Sequence, residues 1–76
     1  MKEILETVIK SLVDDTQNVS IQELQGEKSI VFEVKVAESD MGKVIGKQGR
    51  VAKAIRTILK AVASKEQKRV TIEFIG

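Results

Sequence analysis

Apolar residues at Ile4, Leu5, Val8, Ile9, Leu12 and Val13 recur every three or four positions, which predicts an amphipathic helix over residues 2–13. The polar run Asp14, Asp15, Thr16, Gln17, Asn18 stops it. The period then changes to two. Residues 19–24 read as a strand with Val19 and Ile21 on one face, 25–28 as a turn around Gly26, and 29–36 as a second strand. In that strand Ile30, Phe32, Val34 and Val36 face inward while Glu33 and Lys35 face outward, so the two strands form a hairpin.

Helical spacing returns after the hairpin. Ser39 or Asp40 is placed to cap a short helix over 41–45. A glycine-rich turn follows, and then the longest helix, over 50–64, with Val51, Ala54, Ile55, Ile58, Leu59 and Val62 on one face. After a polar turn at 65–68, Val70, Ile72 and Phe74 alternate inward along a last strand over 70–75. The order α-β-β-α-α-β predicts an α+β fold, with three helices on one face of a three-stranded mixed sheet and the first and third strands running the same way. At 76 residues, one domain spanning 1–76 is expected.

Charge is unevenly spread. Residues 1–40 hold four basic and nine acidic side chains, a net of −5, whereas residues 41–69 hold nine basic against Glu66 alone, a net of +8. The excess surrounds the glycine turn and the long helix. A polyanionic partner accounts for it, and so does a lysine-rich helix surface facing solvent. Without cysteine or histidine the chain cannot build a disulfide, a zinc site of the usual ligands, or a Cys/His or Ser/His nucleophile pair. No metal or cofactor is expected. No apolar run approaches the roughly 18 residues of a membrane span, and no signal-peptide pattern is visible, so a cytoplasmic protein without membrane contact is expected.

The most specific stretch is Gly42-Lys43-Val44-Ile45-Gly46-Lys47-Gln48-Gly49-Arg50. Gly46 and Gly49 frame Lys47 and Gln48 in a G-x-x-G turn, where glycine permits both positive φ and close approach of another chain. The helix beginning near Arg50 directs unpaired N–H groups and the positive end of its dipole at the same place. A phosphodiester backbone suits this arrangement, with Lys43, Lys47 and Arg50 beside it. A nucleotide-binding P-loop is excluded on spacing: three residues separate Gly42 from Gly46, and Gln48 follows Lys47 where a hydroxyl would hold magnesium. The dinucleotide fingerprint G-x-G-x-x-G also fails on spacing. Asp14 and Asp15 read as helix-stopping, solvated residues and not as an acid–base pair, and no enzymatic activity is expected. With Phe32 and Phe74 directed inward and no Tyr or Trp, readers that stack bases on exposed rings are disfavoured.

The run from Val44 to Arg50, followed by Ile55 and Ile58, resembles the signature of KH domains, and the element order is that of their type II arrangement. From Ser39 to Arg50, and again from Ala52 to Arg56, the chain is similar to the KhpA family of small bacterial KH proteins, and the similarity extends over all 76 residues. Ser39 stands where proline is frequent in that family. The resemblance implies single-stranded RNA gripped by its backbone at Gly42, Lys43, Val44, Ile45, Gly46, Lys47, Gln48, Gly49 and Arg50, with Lys53 as a further contact. Val44 and Ile45 would floor an aliphatic groove, or pack in the core. Arg50, Lys53, Arg56 and Lys60 share a face nearly opposite the apolar stripe, so Arg56 and Lys60 are expected toward a solvated back surface, as weaker candidate contacts than Lys53. The resemblance further implies an RNA chaperone or post-transcriptional regulator paired with a KhpB-like protein, linked to cell-envelope synthesis and cell length, and capable of forming a homodimer. A ribosome-associated assembly factor and a protein-interaction module built on the KH surface are the alternatives.

Overall fold

The computed structural model describes residues 1–75. Helix α1 spans Lys2–Leu12 and strands β1 and β2 span Ser20–Gln25 and Ser29–Lys35. Helices α2 and α3 follow at Met41–Ile45 and Arg50–Lys65, and strand β3 closes the fold at Arg69–Ile75. Short 3₁₀ turns occupy Thr16–Asn18, Glu38–Asp40 and Lys47–Gly49. The predicted order is therefore present, with the helix at 2–13 ending one residue earlier. The strand expected at 19–24 is displaced by one residue.

The sheet order is β1-β2-β3. The hairpin pairs β1 with β2 antiparallel, and Leu24 lies opposite Val31. Strand β3 runs parallel to β2, with Phe32 beside Ile72 and Val34 beside Phe74. The sheet is mixed as expected, but β1 and β3 run in opposite directions, contrary to the expectation that they are co-directional. The hairpin fixes β1 against β2, while the α2–α3 pair forms a crossover that returns the chain parallel to the central strand.

One face of the sheet carries the core. Ile30, Phe32, Val34, Val70 and Ile72 pack beneath Leu5 and Ile9 of α1, Val44 of α2, and Ile55, Leu59 and Ala63 of α3. On α3 the buried stripe is Ala52, Ile55, Leu59 and Ala63; Ala54 is exposed and Ile58 is 47% exposed. The expected stripe was centred on the bulkiest apolar residues. The observed stripe is rotated toward Ala52 and Ala63, whose small side chains allow α3 to lie close to its neighbours.

Helix α3 ends in a Schellman motif: Lys68 N–H donates to Ala63 C=O at 3.0 Å and Gln67 N–H to Ser64 C=O at 3.1 Å. Gln67 takes the left-handed position at φ 57°.

Asp40 occupies the N-cap position of α2 but makes no side-chain cap to it. Its carboxylate, 1% exposed, instead accepts from the backbone N–H groups of Asp14 at 3.2 Å and Asp15 at 3.0 Å. The residue expected to cap α2 thus ties the start of that helix to the link after α1. This satisfies a buried charge that would otherwise be costly.

Candidate nucleic-acid interface

Helix α2 and the loop after it are set by two glycines. Gly46 N–H donates to Gly42 C=O at 2.8 Å, ending α2, and Gly46 then adopts φ 76°, ψ 176°. That region belongs to glycine almost alone. Gln48 and Gly49 both lie in the left-handed region, at φ 57° and 72°. The turn is closed internally: Gly49 N–H donates to Gly46 C=O at 3.3 Å and Arg50 N–H donates to Lys47 C=O. Gly49 sits at the N-cap of α3, with no side-chain cap and no acidic residue in the first turn. The dipole of this 16-residue helix, with the first-turn N–H groups that follow Arg50, therefore adds to the loop's positive potential.

The expected site residues divide by environment. Lys47, Gln48, Arg50 and Lys53 are exposed around the loop, and Gly46 and Gly49 are half-buried. Gly42 is exposed, with open space where a side chain would stand. Of the two candidates for an aliphatic floor, Val44 is fully buried in the core, whereas Ile45 is 36% exposed beside the loop. Lys43 lies one helical turn before Gly46, but its ammonium is engaged by the Asp14 carboxylate and lies 3.3 Å from Asp40 Oδ1. These partners raise the Lys43 pKa, the hydrogen bond to Asp14 first; the Asp15 and Asp14 amides, with Lys43, lower that of Asp40.

Arg56 and Lys60 are not on a back surface. With the buried stripe rotated toward Ala52 and Ala63, these two residues fall on its flank facing β3. There they line an open cleft of about 460 Å³ between α3 and the β3 edge, together with Lys68, Arg69, Thr71 and Ile72. The lining contains four cationic side chains and no carboxylate. Arg56 spans it, donating from Nη2 to Ile72 C=O at 3.4 Å, with its guanidinium carbon 5.4 Å from the Phe74 ring centroid. Arg50, Lys53, Arg56 and Lys60 are spaced by 3, 3 and 4 residues. They form a cationic row running about 15 Å from the loop to the cleft. Lys68, Arg69 and Thr71 escaped the motif argument because they follow α3 and belong to no recognisable pattern. Their signal was the basic excess of residues 41–69, which carries no spatial information by itself.

Among the described residues, no group of acidic side chains is arranged to hold a metal ion, and no helix is long and apolar enough to cross a membrane.

The family model described as "KhpA/KhpB, KH domain" matches residues 2–74. A protein of Clostridium acetobutylicum named RNA-binding protein KhpA is 63% identical over 75 residues, covering 99% of this chain and all of the relative. Relatives bearing the same name in Clostridium perfringens and Caldanaerobacter subterraneus subsp. tengcongensis are 59% and 56% identical over the same shares. No solved structure gives a significant match. Loop geometry, element order and end-to-end similarity agree, and the chain belongs to the KhpA/KhpB KH-domain family.

Proposed function

We propose that this chain binds single-stranded RNA by its sugar–phosphate backbone at the Gly46–Gly49 loop and carries the strand along α3 into the cleft against β3. The observation that supports this most strongly is the continuity of three features: an uncapped helix N-terminus, a loop in glycine-type conformations, and a cationic row ending in a cleft lined by no carboxylate. Lys47 and Arg50 supply charge at the loop, Lys53, Arg56 and Lys60 along the helix, and Ile45 an apolar contact for a base. The similar clostridial and Caldanaerobacter proteins are named RNA-binding proteins, in keeping with an RNA ligand. This is a binding function with no catalytic step, in a protein of the cytoplasm.

A backbone grip without stacking rings gives modest affinity and weak sequence preference, which suits an RNA chaperone or post-transcriptional regulator. A KhpB-like partner, or a second copy of this chain, raises the effective affinity by linking two grooves. The family model covers KH domains of both kinds. Exposed Ile58, with Ala54 and Ala61 on the flank of α3 away from β3, offers an apolar surface for such a contact. By family resemblance the proposed role extends to cell-envelope synthesis and cell length.

Salt titration of binding tests the proposal. Two to four neutralised phosphates give a slope of log K against log salt of about −1.5 to −3 for a single strand. Duplex RNA is expected to compete poorly, since its bases cannot enter the cleft. A much steeper slope with equal duplex binding would show a general polyanion surface instead, and no binding at all would leave a protein-interaction module.

A further inference from the structure

We infer that Asp14 competes with RNA phosphate for the Lys43 ammonium and thereby limits the affinity of the loop. This rests on the proposed RNA-binding role of that loop. Lys43 is engaged by two carboxylates of different character. Asp40 is buried and committed, since it also accepts the Asp14 and Asp15 amides. The Asp14 carboxylate is on the surface: its side chain is 85% exposed, and its partner here is Lys43. Among the described residues Lys43 is also the one cation near the loop held in an ion pair; Lys47, Arg50 and Lys53 have none.

The Lys43 side chain is 45% exposed and begins one turn before Gly46, on the helix that leads into the loop. A phosphate oxygen arriving there replaces the Asp14 oxygen on the ammonium, while Asp40 stays in place beneath. Asp14 is already largely hydrated, so its release costs little desolvation. The exchange nevertheless means that this cation reaches RNA only against a standing competitor. Polyanions that merely pass by gain less from Lys43 than from Lys47 or Arg50, and bound RNA leaves faster than the count of lysines implies. Asp14 is thus an affinity-setting residue outside the loop, contributed by the link after α1.

The test uses a fluorescein-labelled oligouridine and five forms of the full chain: the parent, Asp14→Asn, Asp15→Asn, Lys43→Gln and the Asp14→Asn/Lys43→Gln pair. The backbone N–H of residue 14 still reaches Asp40 in Asp14→Asn, so its thermal midpoint is expected to match the parent's. Asp15→Asn makes the same change of charge one residue away. Exposed ion pairs are weak, so Asp14→Asn is expected to tighten binding by about two- to fivefold beyond Asp15→Asn. In the Lys43→Gln background the extra gain disappears. Equal affinities for the two Asn variants would overturn the inference, as would a gain that persists without Lys43. Failure of the loop reading is seen separately, as parent binding that does not respond to substitution of Lys47 and Gln48.

Discussion

The side chain of Val51 fills the space that a side chain at Gly46 would need. A Cβ built on Gly46 would stand 2.9 Å from Val51 Cβ and 3.0 Å from its backbone nitrogen, and Gly46 also holds φ 76°. Gly49 shares the positive φ, at 72°, but its Cβ position is open. The two glycines of one motif are therefore constrained differently: Gly46 by conformation and packing together, Gly49 by conformation alone.

That difference sets a first prediction. Gly49→Ala is expected to cost about 1–2 kcal/mol of stability, the price of left-handed backbone for an ordinary residue. Gly46→Ala is expected to cost more, because Val51 and the start of α3 must also shift. Denaturant unfolding of both variants checks this, and equal losses would mean that the Gly46–Val51 contact is immaterial.

Two isoleucines on α3 separate core from surface. Ile55 is 2% exposed, and truncation to Ala is expected to cost about 2–5 kcal/mol, enough to threaten so small a protein. Ile58 is 47% exposed, and Ile58→Ala is expected to change the stability of an isolated chain by about 1 kcal/mol or less. Thermal melts decide the matter; a large loss at Ile58 in a monomeric sample would contradict the observed face of the helix.

That pair also marks how far the fold was legible. The bounds of α2, and to within one residue those of the hairpin strands and the closing strand, follow from local pattern, because period and turn chemistry are local properties. The burial of α3 was read from side-chain size, and the weight given to Ile58 and Val51 over Ala52 and Ala63 turned the helix the wrong way. Close approach selects small residues, and no periodicity shows where close approach occurs. The same error sent Arg56 and Lys60 to the back of the helix. The loop itself was legible because G-x-x-G encodes backbone conformation directly. The buried role of Asp40 was not, since its amide partners lie on a link 25 and 26 residues away in sequence.

Asp40 gives the protein a defined acid limb. Backbone hydrogen bonds from Asp15 and Asp14, aided by Lys43, depress its folded-state pKa against the opposing effect of burial. A carboxylate whose folded pKa lies below its unfolded value, about 3.9, contributes stability that is present above that value. The contribution is lost as pH falls through the depressed folded pKa. Asp40→Asn is therefore expected to be less stable than the parent at neutral pH, with the gap closing in acid. Melts of both proteins across pH check this, and a gap independent of pH would show that the charge on Asp40 is not what stabilises the link.

The most direct test of RNA binding at the glycine loop is the Lys47→Asp/Gln48→Asp double variant. Both residues are exposed, so folding is expected to survive, as circular dichroism and a melt will show. Two carboxylates would then stand where a phosphate is to sit. In fluorescence anisotropy with a labelled single-stranded RNA, binding is expected to be lost. If this variant folds and binds RNA as tightly as the parent, the loop is not the RNA site.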